Sequence, residues 1–419
     1  MSATVLVVDD EERIRSSLRG ILTDEGYTVL DTGSPALAME LVARQTPSLV
    51  LLDVWMPELD GIELLRKIKQ VRPDLPVVMI SGHANIQNAV AATRLGAADF
   101  IEKPFSLNGL LAILNRTLSG EAAREPAVAG TSANGVGLGG RVSATAATRP
   151  QKTLAQPLVI GGHGLHSGLK SGVILHPAEP DTGIIFSSLA DQSEIPARLD
   201  YVSETGYNTT LSRGGHSIRT VEHLMSALHG LGVTNAFVKT DDEVPALDGS
   251  AIEFCRSLRQ AGIVEQAART APIRVTKPFT IGQGAESIRV EPADVLTIEY
   301  TVDYPAPIGV QTVSFTLDSA ASYEREIAPA RTFGFVNEFS KMSAMGLARG
   351  GRLDNLILVD SEKIVNTTLR FADEFARHKI LDLIGDLYLL GRPLVARIIA
   401  ARTGHSDNLA LIRHIAKLQ

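Results

Sequence analysis

Residues 121–151 divide this chain. They are mostly Ala, Gly, Ser and Thr with scattered Pro, and none is aromatic. Such a stretch cannot bury enough apolar surface to offset the entropy of ordering it, so it reads as a flexible linker. On either side lie segments of about 120 and about 270 residues, both ordinary sizes for independent folding. The whole chain has 419 residues, 44% of them hydrophobic, and a net charge of -7. No apolar run approaches the ~20 residues of a membrane helix. The start turns acidic within ten residues at Asp9 and Asp10, which argues against a secretory signal. A single cysteine, Cys255, excludes an intrachain disulfide and a multi-thiolate metal site, and fits a reducing cytoplasm. The mild acidity gives no reason to expect nucleic acid as a partner.

The first segment alternates two patterns. Thr4–Asp9, Ser48–Asp53 and Pro76–Ile80 are nearly continuous apolar runs, as expected of strands covered on both faces. Amphipathic stretches such as Glu12–Leu22 and Ile62–Gln70 intervene. Regular β-α alternation predicts a doubly wound α/β fold with a five-stranded parallel sheet. In such folds functional groups gather at the carboxyl ends of strands. Asp9 and Asp10, Asp53, Ser81 and Lys103 all fall at such ends, the last after the short run Asp99–Glu102. Three carboxylates together call for a hard cation such as Mg2+. A metal and Lys103 beside Asp53 would neutralise an incoming phosphoryl group, with Ser81 as hydroxyl donor.

Residues 1–120 resemble response-regulator receiver domains. The resemblance rests on Asp9-Asp10, Asp53 followed by Met56-Pro57, Ser81, Phe100 and Lys103-Pro104. It implies that Asp53 accepts phosphate from a sensor histidine kinase and that Asp9, Asp10 and Asp53 hold Mg2+. It also implies that Ser81, Phe100 and Lys103 carry the switch. The run SGHANIQNAVAATRLGAADFIEKPF is most similar to receivers of the nitrogen-regulation type.

The second segment mixes strand-like runs (Gly172–His176, Thr297–Val302, Val313–Leu317) with two helical stretches, Thr220–Gly230 and Asp373–Leu390. That reads as α+β. In the second helix His378 and Asp382 are four apart and share a face, with Asp386 continuing the row. Alone, this spacing fits a helix-face hydrogen bond as well as a pair of metal ligands. The first helix sets Glu222 beside His223. His223 can complete a three-ligand site with His378 and Asp382, leaving a position for water as catalytic zinc requires, and Glu222 can take a proton from that water. His405, in the loop Thr403–Asn408, can protonate a leaving amine if a carboxylate such as Asp386 keeps it cationic.

Residues 152–419 resemble the UDP-3-O-acyl-N-acetylglucosamine deacetylases, zinc enzymes of the committed step of lipid A synthesis. The segments that carry this are Gly162–Gly168 (GHGLHSG), Thr209–Leu211, Thr220–Gly232, Glu243–Ala251, Ala330–Phe335, Leu369–Leu387 and Thr403–Asn408. The resemblance implies a zinc site of His223, His378 and Asp382, with Glu222 as general base. His405 becomes the second acid–base group, with Asp386 as its partner. Thr332 becomes the oxyanion-stabilising hydroxyl and Lys379 a substrate-contacting cation. Leu165 and His166 are placed near the acyl-chain entrance. The implied fold is a sandwich of two α+β halves, near 152–268 and 272–419.

The expected whole is thus a multidomain chain. It acts on UDP-3-O-acyl-N-acetylglucosamine in the cytoplasm of a Gram-negative-type bacterium and has no transmembrane segment. Three other readings compete: a signalling protein whose deacetylase-like part is a binding or output module, an ordinary DNA-binding regulator, and a composite whose receiver does something unrelated, such as dimerising. No basic stripe or helix pair after the linker supports the second.

Overall fold

The computed structural model describes residues 3–54, 56, 60–81, 91–102, 107–119, 148–189 and 193–418. Lys103, Pro57 and nearly all of the linker lie outside them. The chain divides into two compact units, one holding the first sheet and the other the two later sheets. No helix of the described residues is long and apolar enough to cross a membrane.

The first unit contains β1 (Thr4–Val8), β2 (Thr28–Thr32), β3 (Leu49–Asp53), β4 (Val77–Ser81) and β5 (Asp99–Glu102). All neighbours are parallel, in the order β2-β1-β3-β4-β5. Every residue of β3 and β4 is buried, which is why these strands read as unbroken apolar runs. Helices α1 (Glu12–Asp24), α2 (Pro35–Arg44), α3 (Gly61–Val71) and α4 (Leu107–Ser119) accompany the sheet. Leu18 and Leu22 of α1 and Leu110 and Leu114 of α4 join Val5, Val7, Leu49 and Leu51 in one apolar cluster. The expected doubly wound five-stranded parallel fold is met.

The second unit is built twice over. Its first sheet comprises β6 (Leu158–His163), β7 (Lys170–Pro177), β8 (Ile184–Ser188), β9 (Glu194–Pro196) and β10 (Ala236–Thr240), in the order β9-β8-β10-β7-β6. Only the β8–β10 pair is parallel. Helix α5 (Glu222–Leu231) falls between the fourth and fifth strands in sequence. The second sheet comprises β11 (Phe279–Gln283), β12 (Glu286–Glu291), β13 (Thr297–Asp303), β14 (Val310–Thr316) and β15 (Arg397–Ala401), in the order β11-β12-β15-β13-β14. Again the fifth strand inserts in the centre, parallel to the third, and the helix α6 (Glu374–Leu387) precedes it. A terminal helix, α7 (His405–Lys417), follows. This is the α+β pair of halves the sequence implied. A strand at Arg149–Leu154, antiparallel to Ile263–Thr270, begins before residue 152, because its backbone is already paired there.

Helices α5 and α6 lie against each other. All ten residues of α5 are buried, so both sides of this helix are covered. The approach is close because Gly385 of α6 faces α5: a Cβ there would lie 2.1 Å from the Glu222 carbonyl oxygen. Ser226 Oγ donates to Leu381 O at 2.8 Å, and His229 Nδ1 meets Ile384 O at 2.9 Å. The sequence predicts a helix from Thr220, but α5 starts at Glu222. Thr220 sits at φ 60°, in the left-handed region that a helix cannot include. Its hydroxyl instead donates to Glu243 at 3.1 Å.

Candidate active site

Among the described residues, His223, His378 and Asp382 form the one cluster suited to a metal, with ligand atoms within 4.8 Å of one another and all three side chains buried. α5 supplies His223 from its first turn, and α6 supplies the other two from one face, one turn apart. His378 Nδ1 lies 3.1 Å from Ala330 O, a partner that can only accept, so this nitrogen carries the proton. The lone pair is then on Nε2, 3.4 Å from Asp382 Oδ1. Burial lowers the His378 pKa to about 3, so the ring is neutral near pH 7. His223 Nε2 is 3.6 Å from the same oxygen, and its buried Nδ1 has no hydrogen-bond partner. Two imidazoles and a carboxylate in this arrangement fit a divalent cation of the zinc type. Burial opposes charge on Asp382, but His378 first and Lys379 next hold its carboxyl well below the usual range. Lys379 Nζ donates to Asp382 Oδ2 at 3.1 Å.

Glu222 and His405 flank this cluster. Burial raises the Glu222 carboxyl above its ordinary value, against the pull of His405 and His223. One of its oxygens, Oε2, accepts from the Thr209 amide at 3.0 Å. His405, the first residue of α7, has Nδ1 2.8 Å from Asp386 Oδ2 and Nε2 3.9 Å from Asp382 Oδ2. Burial alone would depress the imidazole. Asp386 outweighs it, with Asp382 and Glu222 adding to the effect, and the pKa rises to about 9. A carboxylate of raised proton affinity and a cationic imidazole are the acceptor and donor that acid–base catalysis needs, on groups brought together from residues 222 and 405.

Thr332 follows the segment that braces His378. The Arg331 guanidinium donates to Glu374 at 2.8 Å and to Thr368 O at 2.8 Å, and Thr332 N donates to Gly249 O at 2.8 Å. Phe333 stacks edge-on against His378 at 6.1 Å between centroids. The loop with Leu165 and His166 is held by Glu243, whose carboxylate accepts from His166 N at 2.8 Å and Ser167 N at 2.9 Å. His166 is buried, its Nε2 has no partner, and its pKa is lowered by burial, with His223 contributing. Sequence reasoning gave no role to Thr209, Asn408, Glu243 or the Arg331–Glu374 pair. Of these, Asn408 Nδ2 donates to Asp386 Oδ2 at 2.8 Å.

In the first unit Asp9 and Asp53 are buried at the ends of β1 and β3, whereas Asp10 is exposed. Ser81 ends β4 and Phe100, 5% exposed, lies in β5. Gly61 opens α3 where a Cβ would lie 2.0 Å from Asp53 O, so only glycine lets the helix approach the acid this closely. Lys103 lies outside the described residues.

A family model for UDP-3-O-acyl N-acetylglycosamine deacetylase matches residues 151–417. The chain belongs to that family. A second model, the response regulator receiver domain, matches residues 5–115, so the deacetylase-family part is preceded by a receiver domain. A UDP-3-O-acyl-N-acetylglucosamine deacetylase from Anaeromyxobacter dehalogenans (strain 2CP-C) is 43% identical over 268 residues, 63% of this chain and 87% of that protein. Among solved structures, NtrX from Brucella abortus in complex with ADP is 48% identical over 29% of this chain and 28% of that one, with a TM-score of 0.28. A CheY-like receiver domain protein from Methanospirillum hungatei JF-1 is 30% identical over 29% of this chain and 96% of that one, with a TM-score of 0.28.

Proposed function

We propose that the second unit hydrolyses the N-acetyl group of UDP-3-O-acyl-N-acetylglucosamine with a zinc ion held by His223, His378 and Asp382. The observation that carries this reading is the convergence of that buried triad with Glu222 on one side and His405 on the other. Zinc, when bound, polarises a water and stabilises negative charge on the carbonyl oxygen. Glu222 takes a proton from the attacking water, through the carboxylate oxygen that Thr209 leaves free. The Thr332 hydroxyl donates to the oxygen that gains charge. His405, cationic at neutral pH, gives its Nε2 proton to the departing amine, and Asp386 holds the imidazole throughout. Acetate and a free 2-amino sugar are the products. Lys379 contacts the substrate beside the triad, and the loop of Leu165 and His166 borders the passage for the acyl chain.

For the receiver domain, the reading is that Asp53 accepts phosphate from a sensor histidine kinase with Mg2+ held by Asp9, Asp10 and Asp53, and that phosphorylation tunes the hydrolysis. Both halves are tested with the purified, zinc-loaded chain. Acetate release is measured with and without beryllofluoride, with Asp53→Ala alongside. Release that chelation abolishes and zinc restores supports the enzyme. A beryllofluoride effect absent from Asp53→Ala supports the switch. An inert zinc-loaded chain counts against the enzyme reading and favours the output-module alternative.

A further inference from the structure

The Thr209 hydroxyl has no part in the mechanism above, which uses only the Thr209 amide. The residue is 1% exposed, in the turn before the strand Thr210–Arg213. Its amide donates to Glu222 Oε2 at 3.0 Å. Its hydroxyl donates to Asp386 Oδ1 at 2.7 Å and lies 3.3 Å from His405 Nδ1. Its carbonyl accepts from Val221 N at 3.3 Å, the residue before the base. The turn is also tied to the start of α7, since Thr205 Oγ1 lies 3.1 Å from Ser406 Oγ.

The proton count settles the direction of these bonds. Asp386 as a carboxylate only accepts, so it accepts hydrogen bonds from the Thr209 hydroxyl, from His405 Nδ1 and, through Oδ2, from Asn408 Nδ2. With Oδ1 held by Thr209 and Oδ2 shared by His405 and Asn408, the carboxylate has no rotation left. The imidazole is therefore fixed with Nδ1 protonated and Nε2 toward Asp382. At the other end of the same residue, the amide claims one oxygen of Glu222 and leaves its partner to accept from water.

We propose that Thr209 is a positioning residue that locks the base Glu222 and the acid His405 into one frame, its amide fixing the first and its hydroxyl fixing the second through Asp386. This rests on the deacetylase reading. Its side-chain and amide bonds run to Glu222, Asp386 and His405. Its hydroxyl matters only while His405 does the protonating.

That dependence gives the test, a double-mutant cycle on the zinc-loaded full chain with UDP-3-O-acyl-N-acetylglucosamine. Thr209→Val keeps shape and amide but removes the hydroxyl. It is expected to lower kcat about 10–100-fold, the range for partners that orient a working imidazole, with KM within about twofold and zinc content unchanged. Thr209→Ser is expected to recover most of the loss. Added to His405→Ala, Thr209→Val should change the residual rate by less than about twofold, since the group it positions is gone. A purely structural role predicts the same fold loss in both backgrounds and overturns the proposal, as does a Thr209→Val enzyme with wild-type kcat. Should Thr209→Val fail to fold, Thr209→Ala and Thr209→Ser carry the same cycle. Wild-type chain without turnover removes this proposal together with the deacetylase reading, whereas turnover in wild type with additive losses removes this proposal alone.

Discussion

Replacing Gly385 by Ala tests whether the α5–α6 contact sets the geometry of the site. A Cβ at this position would be 2.1 Å from Glu222 O and 3.1 Å from Ser226 N, both backbone atoms that cannot swing aside. Relief of the shorter contact needs the helices to part by about 1 Å, and overpacking of this kind costs about 1–3 kcal/mol. Alanine returns up to ~1 kcal/mol through helix propensity, so the net loss is about 1–2 kcal/mol. For a unit of this size that lowers the melting temperature by roughly 2–8 °C. The effect on rate is larger. The oxygen that would be pushed belongs to Glu222 itself, the base of the proposed mechanism, and a displacement of about 1 Å in such a group costs on the order of 100-fold. The assay pairs thermal unfolding of the zinc-loaded chain with acetate release below its melting transition. A modest drop in melting temperature with a fall of about 100-fold in kcat is the expected pair. Unchanged stability and turnover would refute the close approach, and lost stability with full turnover would refute its link to the base.

Other expectations concern single groups. Burial lowers the His229 pKa to about 4, so the ring stays neutral in the fold while the unfolded chain protonates near 6.5. A depressed folded pKa means that stability is complete above about 6.5 and falls as pH drops toward about 4, by about 3 kcal/mol in all and about 2 by pH 5. His229→Gln, compared with wild type in denaturant titrations at pH 7.5 and 5, should lose that much less; equal losses would refute the assignment. Glu222→Gln and His405→Ala should each cut turnover by about 100-fold or more while zinc content measured by elemental analysis stays stoichiometric, and His223→Ala should lose the metal. Arg331→Met leaves Glu374, 0% exposed, with backbone amides but no cationic partner and should cost about 3–5 kcal/mol in equilibrium unfolding. Gly20→Ala, with nothing within 4 Å of the new Cβ in α1, should stabilise the receiver domain by about 0.5–1 kcal/mol, read as a shifted denaturation midpoint.

What could be read in the sequence was what is local. Val5–Val8, Leu49–Leu52 and Val77–Ile80 are buried on both faces, and burial writes itself as an apolar run. His378 and Asp382 share a face by helical geometry alone, and Glu222 and His223 are neighbours in the chain. The roles of Thr209, Glu243 and Asn408 were out of reach because each depends on a partner far along the sequence: Thr209 on Asp386, 177 residues away, and Glu243 on His166, 77 away. The start of α5 was misplaced because positive φ at a threonine has no compositional signature. The two halves were implied by resemblance alone, and their shared strand order stayed hidden, since the repetition lies in strand order and not in residue types.

That doubled topology has a consequence for how the protein is made. The first copy of the motif leaves the ribosome complete with its helix, while the helix that covers it is still to be synthesised. Ser226 must wait for Leu381, 155 residues later, to find its acceptor. At about 5–20 residues per second this leaves α5 uncovered for roughly 8–30 s. During that interval its apolar residues and its two histidines, His223 and His229, lack the cover of α6. Assembly of the His223–His378–Asp382 cluster is thereby a late event, and truncated chains ending before α6 are expected to be lost to aggregation or proteolysis.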